Sequence, residues 1–210
     1  PKLRVPSSSN REIEYDLPEV VLPFTNSKIP TWLLDRGFTK IVAKKWELCY
    51  NEDTGSLVIP IMDYRKILVG WICRKPVGIE PKYLYSSGLE KEKILFGEYY
   101  LRDNQNFVCI CEGALDAIWL DQCGYNAVAL LGMQLSKTQQ RRLINLKKGE
   151  YIICLDNDIA GRKGIYGYRD KQNIYHSGFI RKMDKYGVLS IISLPPDKKD
   201  IQEVRDLQQV

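Results

Sequence analysis

Apolar runs without polar alternation dominate the second half of this chain, and each stops abruptly. FVCIC (Phe107–Cys111), AVALL (Ala127–Leu131), YIICL (Tyr151–Leu155) and VLSIISL (Val188–Leu194) predict strands buried on both faces. Between them Gly113–Cys123, the basic stretch Ser136–Leu146 and Gly161–Tyr186 predict helices, the last as one long helix or two. That rhythm predicts a Rossmann-type α/β domain, a parallel sheet covered on both faces with ligands at the carboxyl ends of its strands. The first half reads differently. Residues 1–27 are rich in Pro and Ser and predict an irregular lead-in with one edge strand at PEVVLPF. Pro30 opens a short helix that Gly37 closes, and a second helix is expected over Ile41–Trp46. Ser56–Asp63 and Ile67–Arg74 predict a hairpin whose Pro60 marks an edge strand or a bulge. Pro81–Gly88 reads as a loop and Leu95–Leu101 as a short strand. The expected organisation is an irregular lead-in (residues 1–27), a basic α+β subdomain (28–105) and a parallel-sheet subdomain (106–210).

Composition narrows the function classes. With 210 residues and 44% hydrophobic content the chain can bury a core. It has no apolar run of transmembrane length, and PKLRVPSSSN lacks the apolar centre of a signal peptide, so a cytoplasmic protein with no membrane partner is expected. A first residue of Pro rather than Met fits either a processed chain or a piece of a longer one. The six cysteines include no C-x-x-C pair and read as reduced, buried small hydrophobes rather than zinc ligands. The lone His176 falls in a stretch expected to be helical and charged, which argues against a histidine-dependent triad. The pattern G-x-x-x-x-G-K-[ST] is missing, which excludes a Walker-type NTPase. Net charge is only +5, but it is unevenly spread. Residues 137–185 hold 12 Lys plus Arg against 5 Asp plus Glu, and residues 28–82 hold 10 against 6. Basic regions flanking an acidic site suit a polyanion held by its phosphates.

The acidic site lies where strands end. Glu112 and Asp116 follow the first strand, Asp156 and Asp158 the third, and Asp197 and Asp200 the fourth, while Gly132 follows the second. Hard oxygen ligands of this kind suit Mg²⁺, and the chemistry they host most readily is phosphoryl transfer. A strand-end carboxylate that merely caps a helix would explain Glu112 or Asp158 singly, but not the set. In the first half Arg74 and Lys82 follow the hairpin, and Tyr83 either stacks on bases or packs in the core.

The spacing E-G-x-x-D in Glu112–Asp116, L-D-N-D-x-A-G in Leu155–Gly161 and the pair Lys199-Asp200 resembles the Toprim domain of topoisomerases and primases. WLLDRGF, VIPIMD, VGWICR and PKYLYSSG, in that order, are similar to the series preceding that domain in the RNA polymerase core of DnaG-type primases, phage versions included. Together the matches run from Trp32 to Val204. The resemblance implies a DNA primase, a nucleotidyltransferase that makes short RNA primers on single-stranded DNA during replication. Glu112, Asp156 and Asp158 would be catalytic and would bind Mg²⁺ or Mn²⁺ together with Asp116 and Asp200. Arg74, Lys82, Tyr83, Arg162 and Lys163 would contact nucleic acid or nucleotide. The implied partners are single-stranded template, ribonucleoside triphosphates and, outside this chain, a replicative helicase and a zinc-binding module. The implied compartment is the bacterial cytoplasm, or the host's if the chain is phage-encoded. One departure stands out: the family's D-P-D is here Asp200-Ile201-Gln202, one acidic group fewer. Two other readings share the acidic cluster, a Toprim-family metal-dependent nuclease and a non-catalytic DNA-binding Toprim module. The intact cluster argues against the latter, because crowded carboxylates with no cation cost stability and repel DNA.

Overall fold

The computed structural model describes residues 29–195 and 197–204, together with the backbone of three short strands nearer the start; the rest of the expected lead-in lies outside the described residues. The chain forms two compact units, Pro1–Leu89 and Glu90–Val210. This division comes earlier than the break expected at residue 105, because the stretch in between belongs to the second core. Leu95 packs into that core, and Phe96 exchanges backbone hydrogen bonds of 3.0 and 2.9 Å with Ala129. The strand expected over Leu95–Leu101 is therefore a single bridge at Phe96 followed by a 3₁₀ turn, Glu98–Tyr100.

In the first unit β1 (Leu3–Val5) pairs antiparallel with β2 (Ile13–Tyr15). Then come β3 (Leu22–Pro23), α1 (Thr31–Asp35), α2 (Lys40–Lys45), β4 (Cys49–Asn51), β5 (Ser56–Met62), β6 (Leu68–Arg74) and β7 (Tyr83–Tyr85). The last five strands make an antiparallel sheet in the order β3-β4-β5-β6-β7, with β3 at its edge. The turn after α1 depends on Gly37 at φ 88°, and the Thr39 side chain caps α2 by accepting the Val42 N–H. Pro60 marks no edge: β5 is central and buried along its whole length. It is tolerated because β4 pairs only with Ser56–Val58 and a register shift follows at Ile61/Met62, so Pro60 lies past the ladder that would need its N–H.

The second unit runs β8 (Phe107–Cys111), α3 (Ala114–Gln122), β9 (Ala127–Ala129), α4 (Lys137–Asn145), β10 (Glu150–Cys154), α5 (Ile159–Tyr166), β11 (Gly167–Arg169), β12 (Tyr175–Ser177), α6 (Phe179–Met183) and β13 (Val188–Ile191). Four of its strands form a parallel sheet in the order β13-β10-β8-β9. Strand alternation gives the sheet two unlike faces. Val108, Ile110, Val128, Tyr151 and Ile153 build the large-residue face, packed with Leu143 of α4, Ile165 of α5 and Phe179 and Met183 of α6. Cys109, Cys111, Ala127, Ala129 and Cys154 share the other face by register, and these small side chains let the buried helix α3 lie close. All six cysteines are free; Cys49, Cys109, Cys111 and Cys154 are buried as expected, whereas Cys73 is half-buried and Cys123, at the end of α3, is exposed. The expected helix over Gly161–Tyr186 is instead two short helices separated by an antiparallel hairpin, β11–β12. Gly167 at φ 87° ends α5, and the β-prone GYR and YHS segments then pair across a turn with Asn173 at φ 63°.

Gln139, 1% exposed, joins three parts of this unit. Its Nε2 donates to the carbonyls of Lys91, Ile94 and Leu130 at 3.2, 2.9 and 2.9 Å, and its Oε1 accepts the Ser136 N–H at 3.0 Å. Replacing it with leucine of similar bulk leaves buried carbonyls without donors, so Gln139→Leu should cost about 2–3 kcal/mol in urea unfolding. An unchanged midpoint and slope would show that this residue is not a brace.

Candidate functional site

Cys111 and Cys154 are paired in register, so Glu112 and the Asp156–Asp158 turn leave the sheet from neighbouring strands. Glu112 is half-buried, and its Oε2 is shielded from water with no hydrogen-bond partner. Burial, then Asp156, then Asp158 push its carboxyl upward, while Lys199 pulls it back. An anionic oxygen out of water without a donor is costly unless a cation or proton reaches it.

The other carboxylates are held more firmly. Asp158 is the N-cap of α5, its Oδ1 accepting the Gly161 N–H at 2.9 Å. The helix passes so tightly over the preceding turn that a Cβ on Gly161 would lie 2.0 Å from the Asp156 carbonyl oxygen, which is the physical reason for glycine at this place in L-D-N-D-x-A-G. Asp116, 8% exposed in the first turn of α3, uses both oxygens: Oδ2 accepts from Gly113 N at 3.2 Å and Oδ1 from Gln202 Nε2 at 2.6 Å. Burial first, then Asp200, pushes this carboxyl up to about 7 against the opposing pull of Gln202, and Asp156 adds to the rise. Asp200 caps the 3₁₀ turn Ile201–Glu203 by accepting Gln202 N–H at 3.1 Å. Its loop is clasped by Asn157, which donates from its backbone N to the Lys199 carbonyl at 2.8 Å and from Nδ2 to the Lys198 carbonyl at 3.5 Å. Asp197 stands apart, exposed and paired with Lys198 at 3.3 Å.

Capping therefore accounts for Asp116, Asp158 and Asp200 but not for Glu112, which the sequence alone had offered as a cap. Among the described residues no three His, Cys, Asp or Glu side chains converge closely enough to enclose an ion. The donors fit instead a hard cation that completes its shell from water and substrate phosphate. The buried, unpartnered oxygen of Glu112 is the observation that favours one.

The basic residues divide. Arg162 and Lys163 are exposed on α5. In the first unit Lys82 is exposed, with Nζ 5.4 Å from the Tyr83 ring. Arg74 is only 4% exposed, because strand alternation places it on the same buried face as Ile72. Its guanidinium lies 4.7 Å from the Trp32 ring and 5.9 Å from that of Tyr83. Gln202 and Asn157 were not singled out from sequence. Asn157 stood inside the quoted motif, between two aspartates, whereas Gln202 had no signal beyond occupying the place of a missing acid.

Comparison with known proteins gives several likenesses. A Toprim-like family model matches residues 109–204. A DNA primase of Synechococcus elongatus is 33% identical over 144 residues, 65% of this chain and 21% of that protein. An uncharacterized MG010 homolog of Mycoplasma pneumoniae is 29% identical over 137 residues, 62% of this chain and 64% of its own length. The chain thus spans less than two thirds of these relatives. The E. coli primase catalytic core superposes with a TM-score of 0.64 at 22% identity, covering 84% of this chain and 68% of that one. The mixed architecture, an antiparallel sheet followed by a parallel one, is that of the DnaG core.

The buried Asp116 sets a pH dependence. A carboxyl raised from 3.8 to about 7 binds its proton more tightly folded than unfolded, so stability should fall as pH rises from about 4 to about 7, the full penalty remaining above that. In metal-free buffer Asp116→Asn should remove that slope and raise stability at pH 8 by roughly 1–3 kcal/mol while changing little at pH 4. Wild type and variant falling together with pH would contradict the assignment.

Proposed function

We propose that this chain, in which residues 109–204 form a Toprim-like domain, is the catalytic core of a DNA primase. It would make short RNA primers on single-stranded DNA from ribonucleoside triphosphates. The similarity to a primase over 144 residues carries this reading, because it extends beyond the Toprim-like span that topoisomerases and nucleases share. The 3′-hydroxyl oxygen of the growing RNA bonds to the α-phosphorus of the incoming nucleotide, the bond from that phosphorus to the bridging oxygen breaks, and pyrophosphate leaves. Glu112, its carboxyl raised by burial and by Asp156 and Asp158, would accept the hydroxyl proton. Mg²⁺ or Mn²⁺ held by Glu112, Asp156 and Asp158 would supply charge against the triphosphate and acidify the attacking hydroxyl. Gln202 and Asn157 keep the Asp200 loop in place, and Arg162, Lys163 and Lys82 neutralise phosphates. Asp116, with both oxygens engaged, braces α3 and would not ligate the ion. A replicative helicase and a zinc-binding module would complete the assembly in the cytoplasm of a bacterium or of an infected host.

Incubation with ribonucleotides, Mg²⁺ or Mn²⁺ and a single-stranded template should yield short labelled RNA. Glu112→Gln and Asp156→Asn should each reduce the yield by about 10²-fold or more, with unchanged unfolding midpoints. Cleavage of the template without synthesis would make the chain a Toprim nuclease. Full synthesis by either variant would remove these residues from the reaction.

A further inference from the structure

The hairpin β11–β12 has two faces with different tasks. Its register pairs Tyr168 with His176 and Arg169 with Tyr175, and consecutive residues of a strand point to opposite sides. The Tyr168 face is tied to the body of the unit. The two rings stack at 4.8 Å and 14°, Gln134 Nε2 in the loop after β9 donates to the Tyr168 hydroxyl at 2.9 Å, and His176 Nε2 meets Asp170 Oδ2 at 2.8 Å. That loop leaves the carboxyl end of β9, so the hairpin is anchored on the side of the sheet where the acidic rim lies.

The opposite face faces water, and its Arg169 Nη1 donates to the Asn173 carbonyl at 2.8 Å. Tyr175 is 41% exposed, and its hydroxyl is fixed by donating to the Tyr166 carbonyl at 3.3 Å. Its ring has the Arg169 guanidinium at 5.9 Å and the Arg181 guanidinium at 5.5 Å. Lys163 lies on the other face, 5.3 Å from the Tyr168 ring. None of these three cations makes an ion pair among the described residues. Residues 162–185 carry 7 Lys plus Arg against 2 Asp, one of which, Asp170, is already taken by His176. Two guanidinia flanking a half-exposed ring repel one another, and neither is ion-paired among the described residues. A ligand offering both a flat π-face and closely spaced negative charge relieves both conditions, and an unpaired nucleotide strand has both.

We propose that the β11–β12 hairpin is a single-stranded nucleic-acid-binding element, with Tyr175 stacking an unpaired base and Arg169 and Arg181 neutralising the flanking phosphates. The site rests on the primase reading only for the identity of the strand as template.

The test is fluorescence anisotropy of the full chain with labelled oligo(dT) across a salt series. Tyr175→Ala should weaken binding about tenfold without altering the salt dependence, and Tyr175→Phe, which keeps the ring, should bind like wild type. Arg169→Ala with Arg181→Ala should flatten the salt dependence by about 1.4 in slope, 0.7 for each lost contact. Retained unfolding midpoints make these losses local. Should wild type bind oligo(dT) and every variant bind equally, the hairpin assignment is overturned while the primase reading stands. Failure of wild type itself to bind would overturn both. Equal weakening on a blunt duplex would also count against the hairpin, since a stacked duplex offers no free base.

Discussion

Mutual repulsion among carboxylates at the carboxyl edge of a parallel sheet is the constraint around which the second unit is arranged. Burial raises both Glu112 and Asp116; to this Asp156 and Asp158 add at Glu112, and Asp200 and Asp156 at Asp116, so Asp156 acts on both sides of the set. Like charges gathered at a partly buried rim cost stability unless something fixes each one. Here the fixing is done by backbone N–H groups at helix starts. Asp158 caps α5, Asp116 accepts the N–H of Gly113 at the start of α3, and Asp200 caps the turn after the last strand.

These caps divide the labour. A carboxylate held by a cap is rigid and partly compensated, which suits it to set the field of the site rather than to move protons. Glu112, with an oxygen out of water and no donor, is the member left to interact with something that arrives. The amide at Gln202 fits the same logic. Where a second carboxylate would have added repulsion, an amide donates to Asp116 at 2.6 Å and ties the last loop to α3. Asn157 secures that loop from the other side, so the ends of β8 and β10 and the Asp200 turn are bound together through polar contacts.

Much of this was legible in the chain. Three of the parallel strands, β8, β9 and β10, announce themselves as apolar runs because both faces are covered, whereas β13 at the sheet edge, expected to be buried, exposes Val188 and Ile191; the acidic residues that follow three of the four runs could only lie at the carboxyl edge. Other features depended on partners far away in sequence. The Gln202 to Asp116 bond spans 86 positions, and no local pattern records it. Arg74 reads as a cation for phosphates, yet alternation along β6 turns it inward against Trp32. Pro60 reads as the mark of an edge strand or a bulge; the strand is central, with β4 too short to need its N–H, and the irregularity is the register shift at Ile61/Met62. The hairpin after α5 was hidden by surrounding Lys and Arg residues, which favour helix by propensity, while Gly167 and the paired aromatic segments decided otherwise.

Binding of Mn²⁺ measured by electron paramagnetic resonance, with and without a ribonucleoside triphosphate, tests most directly whether the rim is a cation site. Wild type should bind Mn²⁺ and bind it more tightly with nucleotide, because triphosphate oxygens supply ligands that the protein lacks. Glu112→Gln should lose most of that affinity while Asp116→Asn, whose oxygens already face protein donors, should retain it. Mn²⁺ binding that is absent in wild type, or identical in wild type and Glu112→Gln, would contradict a site built on Glu112.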